Sequence, residues 1–412
     1  MTAMEKNNKT LNVPHLRFPE FSGEWKICKV SDILDFYSTN SLAWEQLEYG
    51  AYGLKNLHYG LIHNGLSTCV DTKDAILPVI KQNCIPKNYT ECQNGDVAFA
   101  DASEDTNDVA KCVEFIDCHA DKVVCGLHTI HGRDKGDKTV VGFKGYAFSS
   151  QAFRHQIRRL AQGTKIYSIS CKNFSECCIG IPSKEEQSKI ARLLHLIDQR
   201  LKTQKKIIED LKKLKDAITH SHYRNELSHS PMVYIGKYIT QVSNRNKDAR
   251  IDRVLSVSNK YGFVNQDEQF EDREVASADT SNYKVVHKGD FAYNPARINV
   301  GSVARLQEFE NGIVSPMYVC FTAEKGLVPA YLELYLSTSI FKHEMNKRLE
   351  GSVRLCLTYE SLCNIKIALP EFNVQRDFVS KVSDLVTKVN SEERLLCMYQ
   401  KCKQYLLTQM FI

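Results

Sequence analysis

Asn294-Pro295-Ala296-Arg297 comes closest to a reactive motif, having the outline of the Asn-Pro-Pro-aromatic arrangement that grips a flipped base. It lacks the second proline and the ring that would stack on that base, so it reads as the end of a strand. His131-Gly-Arg-Asp-Lys-Gly-Asp-Lys-Thr139 lacks the spacing of a phosphate-cradling loop, and no glycine-rich dinucleotide loop follows a strand pattern. Asp101, Glu104, Asp105 and Asp108 could surround a cation, but such a run is more often a solvated loop. The 15 cysteines are odd in number, scattered and without a C-x-x-C pair. The adjacent Cys177 and Cys178 would point to opposite faces of a strand, so buried free thiols are expected and no metal site. Neither a catalytic residue nor a cofactor is expected in this chain.

If the chain binds nucleic acid, the contacts come from polar and basic side chains on loops, where arginine pairs with guanine edges and asparagine or glutamine with adenine. In the first half the candidates are His128, His131, Arg133, Lys135 and Lys138, with Asn56, His58 and His63 in the polar-aromatic stretch Tyr52 to His63. In the second half they are Arg245, Lys247, Arg250, Arg253, Asn294, Arg297, Asn299 and Arg305. Lys165 and Arg354 follow Gly163 and Gly351, where they would either touch phosphates or brace a turn. Each of these residues is equally readable as ordinary surface.

The elements that must position them are set by length and repetition. A chain of 412 residues is too long for one ordinary domain and suits two domains with connectors. Composition, with 43% hydrophobic and 25% charged residues, describes a soluble globular protein. No run reads as a membrane span, and the polar Met1–Thr10 stretch does not read as a secretory signal, so a cytoplasmic location is expected. The net charge of +5 is unevenly placed. Residues 183–228 hold 11 basic and 7 acidic side chains, whereas 24–182 hold 17 and 19, and 229–370 hold 17 and 16. Neither large segment is basic overall, so nucleic-acid binding would rest on local loops and one charged connector.

Residues 162–190 align without a gap on 350–378, at a constant offset of 188. Gly163 meets Gly351, Pro182 meets Pro370 and Gln187 meets Gln375; upstream, Asn94-Gly-Asp-Val-Ala-Phe resembles Lys288-Gly-Asp-Phe-Ala-Tyr. After each proline runs a heptad pattern: Ile190, Leu194, Ile197, Leu201, Gln204, Ile208, Leu211, Lys215 and Ile218, then Phe378, Val382, Leu385, Val389, Glu392, Leu396, Tyr399, Lys403 and Leu406. Both seams are polar at matching places. A chain that runs domain, helix, domain, helix must bring its second helix back, so an antiparallel pair is expected, spacing two domains. If the first helix spans Lys184 to His222 it reaches about 58 Å at 1.5 Å per residue. Lys215 either keeps its seam position or snorkels while Leu214 packs.

The expected division is an N-terminal arm at 1–23, recognition domains at 24–182 and 229–370, and spacer helices at 183–228 and 371–412. Each domain reads as α/β (α+β) with a small curved mixed sheet. Val97-Ala-Phe-Ala and Val140-Val-Gly-Phe are predicted strands of the first, with a helix at Gln151–Ala161; Phe291-Ala-Tyr-Asn and Gly312–Phe321 are predicted strands of the second, with a helix at Ala330–Arg348.

Val13-Pro-His-Leu-Arg-Phe-Pro-Glu-Phe with Glu24-Trp25, Tyr293-Asn-Pro-Ala-Arg-Ile-Asn-Val-Gly-Ser and Ile181-Pro-Ser-Lys-Glu-Glu-Gln-Ser-Lys-Ile resemble segments of the type I restriction-modification specificity (S, or HsdS) subunits of bacterial defence systems. The resemblance covers essentially the whole chain. The second copy departs from the helix-start motif, reading Pro370-Glu-Phe-Asn-Val-Gln, but keeps Gln375. The family resemblance implies two target-recognition domains that each read one part of a split double-stranded DNA sequence. It implies two modification (methyltransferase) subunits and restriction/translocase subunits as partners, with S-adenosylmethionine, ATP and Mg held by those partners. Composition alone also permits a coiled-coil scaffold whose two domains bind proteins and never touch DNA.

Overall fold

The computed structural model describes residues 12–50, 52–119, 121–266, 279–351 and 354–412. The first part of the expected N-terminal arm, residues 1–11, lies outside them. The chain forms two compact units: one runs through Lys205 and takes in Arg394–Ile412, the other is Lys206–Glu393. The division falls inside both long helices, Lys184–His229 (46 residues) and Phe372–Gln409 (38 residues). The first helix runs seven residues past His222, the end used for its length, and within one residue of the expected 183–228 spacer.

In the first unit a five-stranded mixed sheet has the order Leu34–Tyr37, Thr129–Asp134, Val97–Ala100, Cys112–Asp117, Cys69–Asp71. In the second unit a four-stranded sheet has the order Ile239–Val242, Val319–Ala323, Phe291–Tyr293, Val303–Arg305. The shared order shows that the repeat extends to the sheets. The predicted strands at Val97 and Phe291 form, as does the helix at Gln151–Leu160.

Three expectations change. Val140–Phe143 is no strand: the Val140 N–H is held by Gln187 and the Gly142 N–H by Glu114, so neither is free for a ladder. Gly312–Phe321 is two strands, Asn311–Val314 and Val319–Ala323, in different sheets. The predicted helix at 330–348 breaks into Pro329–Leu336 and Ser339–Asn346, because Thr338 accepts the N–H of Phe341 and so starts a new helix.

Each unit buries parts of both long helices. In the first, Ile190 and Leu194 join Leu406, Leu407, Met410 and Phe411 around Trp25, Phe99, Phe143, Phe148 and Phe174. In the second, Tyr223 joins Phe378 and Val382 around Tyr331, Tyr335 and Phe341. Contacts within each unit run antiparallel. Asp198 pairs with Lys403 (2.5 Å) and Arg200 with the Tyr399 hydroxyl (3.1 Å) in the first. In the second, Lys212 pairs with Glu393 (2.6 Å) and His222 stacks on Phe378 with centroids 3.7 Å apart.

The seam residues Ile190, Leu194, Ile208, Phe378, Val382 and Val389 are buried, while Ile197, Leu201, Leu211, Leu385, Leu396 and Tyr399 are half-buried. Late in the first helix the heptad phase slips. Ile218 is exposed and Thr219 is buried instead, so the spacing after Lys215 is four rather than three. Lys215 is half-buried with its ammonium turned out to exposed Asp216 (3.2 Å), while Leu214 is exposed and does not pack in its place. The described part of the expected arm is no free tail: Arg17 pairs with buried Glu186 (2.7 Å) and the Leu16 N–H donates to the Gln409 carbonyl (2.9 Å).

The repeat residues Gln187 and Gln375 do the same work at each helix start. Gln187 accepts from Val140 N (2.9 Å) and donates to the Pro182 carbonyl (3.0 Å) and that of Lys138 (3.3 Å). Gln375 accepts from Val328 N (2.9 Å) and donates to the carbonyls of Pro370 and Gly326 (both 2.9 Å). Both are almost wholly buried. Gly163 and Gly351 (φ +144° and +122°) begin matching loops closed by paired backbone bonds, Gln162 with Ser168 and Glu350 with Cys356. A Cβ on either glycine would collide with a carbonyl three residues on, that of Ile166 or Arg354. Replacing Gln187 with Leu should therefore leave two or three buried backbone groups unpaired, at about 1–3 kcal/mol each. Urea unfolding of the full chain should show the loss, and Gln375→Leu should show a similar one.

Candidate nucleic-acid interface

Burial divides the polar candidates of the first unit. Asn56, His58 and His131 are interior, with Asn56 and His131 fully enclosed, so they present no edge to a base and leave the candidate set. Asn56 sits in the strand Lys55–Leu57, parallel to Val123–Cys125, with its amide against Gly126. His58 accepts the Gly60 N–H through Nδ1 (3.1 Å), and its ring lies between Trp44 and Tyr59, with centroids 4.2 and 4.6 Å away. Burial, helped by nearby His128, lowers its pKa and favours the neutral acceptor form that the cap requires.

His131 and Arg133 converge on Asp96. The carboxylate, 1% exposed, accepts from His131 Nε2 (2.8 Å) and from Arg133 Nε and Nη2 (2.8 and 2.7 Å). Burial opposes the charge on Asp96, but Arg133 and His131 outweigh it and hold its pKa below the usual range. Arg133 also donates to the Glu91 carbonyl and lies over the Tyr37 ring at 4.8 Å. It is a brace rather than a free guanidinium. The neighbouring Glu114 is another committed acid: it accepts from Gly142 N (2.9 Å) and Gly145 N (2.7 Å) and pairs with buried Lys144 (3.3 Å).

The outward-facing candidates gather differently from their order in sequence. Tyr59 meets His63 and His128 edge-on, at 6.0 and 5.4 Å, so an aromatic patch of Trp44, Tyr59, His63 and His128 forms around His58. His63 itself is half-buried, with Nε2 on the Ala102 carbonyl (2.9 Å) and Nδ1 enclosed, and offers no free edge. Trp44, 44% exposed, had no signal in sequence beyond being aromatic. His128 is exposed and pairs with Asp101 (3.2 Å). Lys135 and Lys138 flank an exposed turn, pairing with Asp35 (3.2 Å) and the Asp32 carbonyl respectively. Lys165 is exposed on its glycine-closed loop, as is Arg354 on the matching one.

In the second unit Arg245, Lys247, Arg250 and Arg253 lie exposed along one segment. Arg245 donates to Asn282 (2.8 Å), Arg250 sits 3.6 Å from Asp248 and Arg253 lies over Phe309 (4.7 Å). Asn294 turns the chain after its strand, accepting the Ala296 N–H (3.1 Å), which fits a strand end. Arg297 and Asn299 are exposed at the turn that follows. That turn packs on another, since a Cβ at Gly301 would lie 3.6 Å from that of Asn259, and Ser302 donates to the Val257 carbonyl (2.9 Å). Lys260 and Tyr261, the latter 67% exposed with the Lys260 ammonium 4.8 Å from its ring centroid, follow Asn259 in that second turn. This pair is absent from the candidates expected from sequence, although Asn259-Lys-Tyr-Gly262 between two β-rich runs is a turn signal. Arg305 is bound to Glu333 (2.8 Å) and is less free than expected.

Among the described residues no helix is long and apolar enough to cross a membrane. Residues 120–213 match the family model of the type I restriction modification DNA specificity domain, which describes specificity rather than catalysis. No curated protein matches the chain. Among solved structures, the S subunit of a type I restriction-modification system from M. genitalium is similar at 16% identity over 97% of this chain and 99% of that one, with TM-score 0.55. A chain from a study of complex assembly and conformational transition of the type I R-M system is similar at 14% identity, covering 93% and 96%, with TM-score 0.57. Residues 120–213 match the type I restriction modification DNA specificity domain, and over nearly its whole length the chain has the fold of the solved type I S subunit from M. genitalium.

Proposed function

We propose that the chain is the non-catalytic specificity subunit of a type I restriction-modification complex. Each recognition domain reads one half of a bipartite double-stranded target and directs adenine methylation or restriction by partner subunits. The observation that carries this reading is one frame used twice with different surfaces. Both units keep the sheet order, the glutamine clamp and the glycine-closed loop. Their outward loops differ: an aromatic–histidine patch in one, and in the other two packed turns that expose Lys260 and Tyr261 on one and Arg297 and Asn299 on the next. A common frame with divergent loops is what reading two different half-sites requires.

The partners are two modification subunits and restriction/translocase subunits, which bring S-adenosylmethionine and, for restriction, ATP with Mg. The basic side chains of the first long helix suit acidic partner surfaces or phosphates. The competing scaffold reading makes no use of the exposed base-reading side chains.

In the complex with modification subunits, exchanging residues 24–160 for those of a relative should change one half of the methylated sequence and leave the other; unchanged specificity would sink the proposal. Inserting one heptad in the first long helix should widen the gap in the target by about 10 Å, or roughly three base pairs. Lys260→Ala with Arg297→Ala should weaken duplex binding without moving the unfolding midpoint. The salt dependence should fall by about one unit of log–log slope for each phosphate no longer neutralised. A scaffold would show no steep salt dependence to begin with.

A further inference from the structure

Among the described residues, one group of three metal-ligand side chains converges: Cys92, Cys125 and His131, all buried. They come from separate elements, namely the turn before the strand Val97–Ala100, the end of Val123–Cys125 and the middle of Thr129–Asp134. The two sulfurs are 3.6 Å apart, and one ring nitrogen of His131 and both sulfurs all lie within 4.8 Å of one another. Zinc–sulfur bonds of about 2.3 Å in a tetrahedron set the sulfurs roughly 3.8 Å apart, close to the spacing found.

The histidine supplies an independent observation. Its ring is fully enclosed; Nε2 is hydrogen-bonded to Asp96, and Nδ1 has no partner. A buried polar atom is ordinarily paired, so an orphan nitrogen on a ring that reaches two thiols calls for a ligand. The Asp96 carboxylate, itself fixed by Arg133, holds the far side of the ring in the way that orients a metal-bound imidazole with its other nitrogen free. Two thiolates would also cancel the ion's charge, so the filled site adds no net charge to the interior.

We propose that Cys92 Sγ, Cys125 Sγ and His131 Nδ1 bind a zinc-type divalent cation, a structural site within the first unit. Binding releases the two thiol protons to solvent and forms two metal–sulfur bonds and one metal–nitrogen bond, with no change of oxidation state. The ion would tie the strand Val123–Cys125, in a further sheet of the first unit with the order Val123–Cys125, Lys55–Leu57, Val79–Ile80, Leu47–Glu48, to Thr129–Asp134 in the five-stranded one, next to the Tyr37 ring that faces His131 at 5.4 Å.

The test is cobalt titration of the full chain, isolated with reductant and stripped with a chelator. The expected result is one equivalent with a thiolate-to-cobalt charge-transfer band and tetrahedral visible bands, both displaced by zinc. Both features should vanish in Cys92→Ser with Cys125→Ser. If that variant does not fold, alkylation mapped by mass spectrometry on the native chain decides, with Cys92 and Cys125 at least about tenfold slower to react when zinc is present. Absence of a thiolate–cobalt band, equal labelling with and without zinc, or a Cys92–Cys125 disulfide in the chain as isolated would each overturn the site.

Discussion

The first unit depends on a return of the chain to its beginning. Leu406, Leu407, Met410 and Phe411, at the far end of the sequence, complete a core that starts at Trp25, with Phe411 edge-on to Trp25 (centroids 6.3 Å) and tilted against Phe143 (6.0 Å). Burying four such side chains stabilises by several kcal/mol at roughly 25 cal/mol per Å² of apolar surface. That gain exists only if the second long helix runs back along the first. The antiparallel contacts of Asp198 with Lys403 and of Arg200 with Tyr399 are then a consequence of closing this core.

The second unit solves the same packing problem with contiguous sequence, Lys206–Glu393. Its aromatic cluster takes the place of the first unit's phenylalanines: Tyr223 lies 4.8 Å from Tyr331 and 5.4 Å from Tyr335 between ring centroids, and donates to the Tyr331 carbonyl at 2.5 Å. The cores differ in composition while the polar clamps do not. A glutamine amide buried at a helix start must find both a donor and an acceptor, and only the local backbone supplies them in the right geometry. The clamp therefore tolerates no drift between the copies, whereas outward loops are free to diverge, and a recognition protein needs that freedom there.

Interior charges play the same positioning part. Asp96 gathers His131 and Arg133, and Glu114 gathers Lys144 with two glycine N–H groups. Removing one partner from such a group leaves an uncompensated charge, which costs more than the pair contributes. These residues hold the platform beneath the exposed loops. Basic side chains near those loops thus split into braces, such as Arg133 and Arg305, and exposed surface, such as Arg297 and Lys165.

The duplication, the two long helices, the apolar seam through Leu211 and Val389, and the family resemblance were all legible in the order of residues, because period and offset survive in one dimension. Gln187, Gln375, Gly163 and Gly351 stood out there too, but without a reason. Folding supplies the reasons, an amide clamp and a loop with no room for a Cβ. The slip from Ile218 to Thr219 was invisible, since an isoleucine in phase looks better than a threonine out of phase until the neighbouring surface is known. Which polar residues face water was settled by packing alone: Asn56, His58 and His131 read like loop residues but lie inside, and the turn carrying Lys260 and Tyr261 packs, through Asn259, on the turn that follows Arg297. The Cys92–Cys125–His131 group was equally hidden. No local spacing encodes a site whose ligands meet only when three separate segments pack together, and residues distant in sequence acquire a common chemistry through that packing.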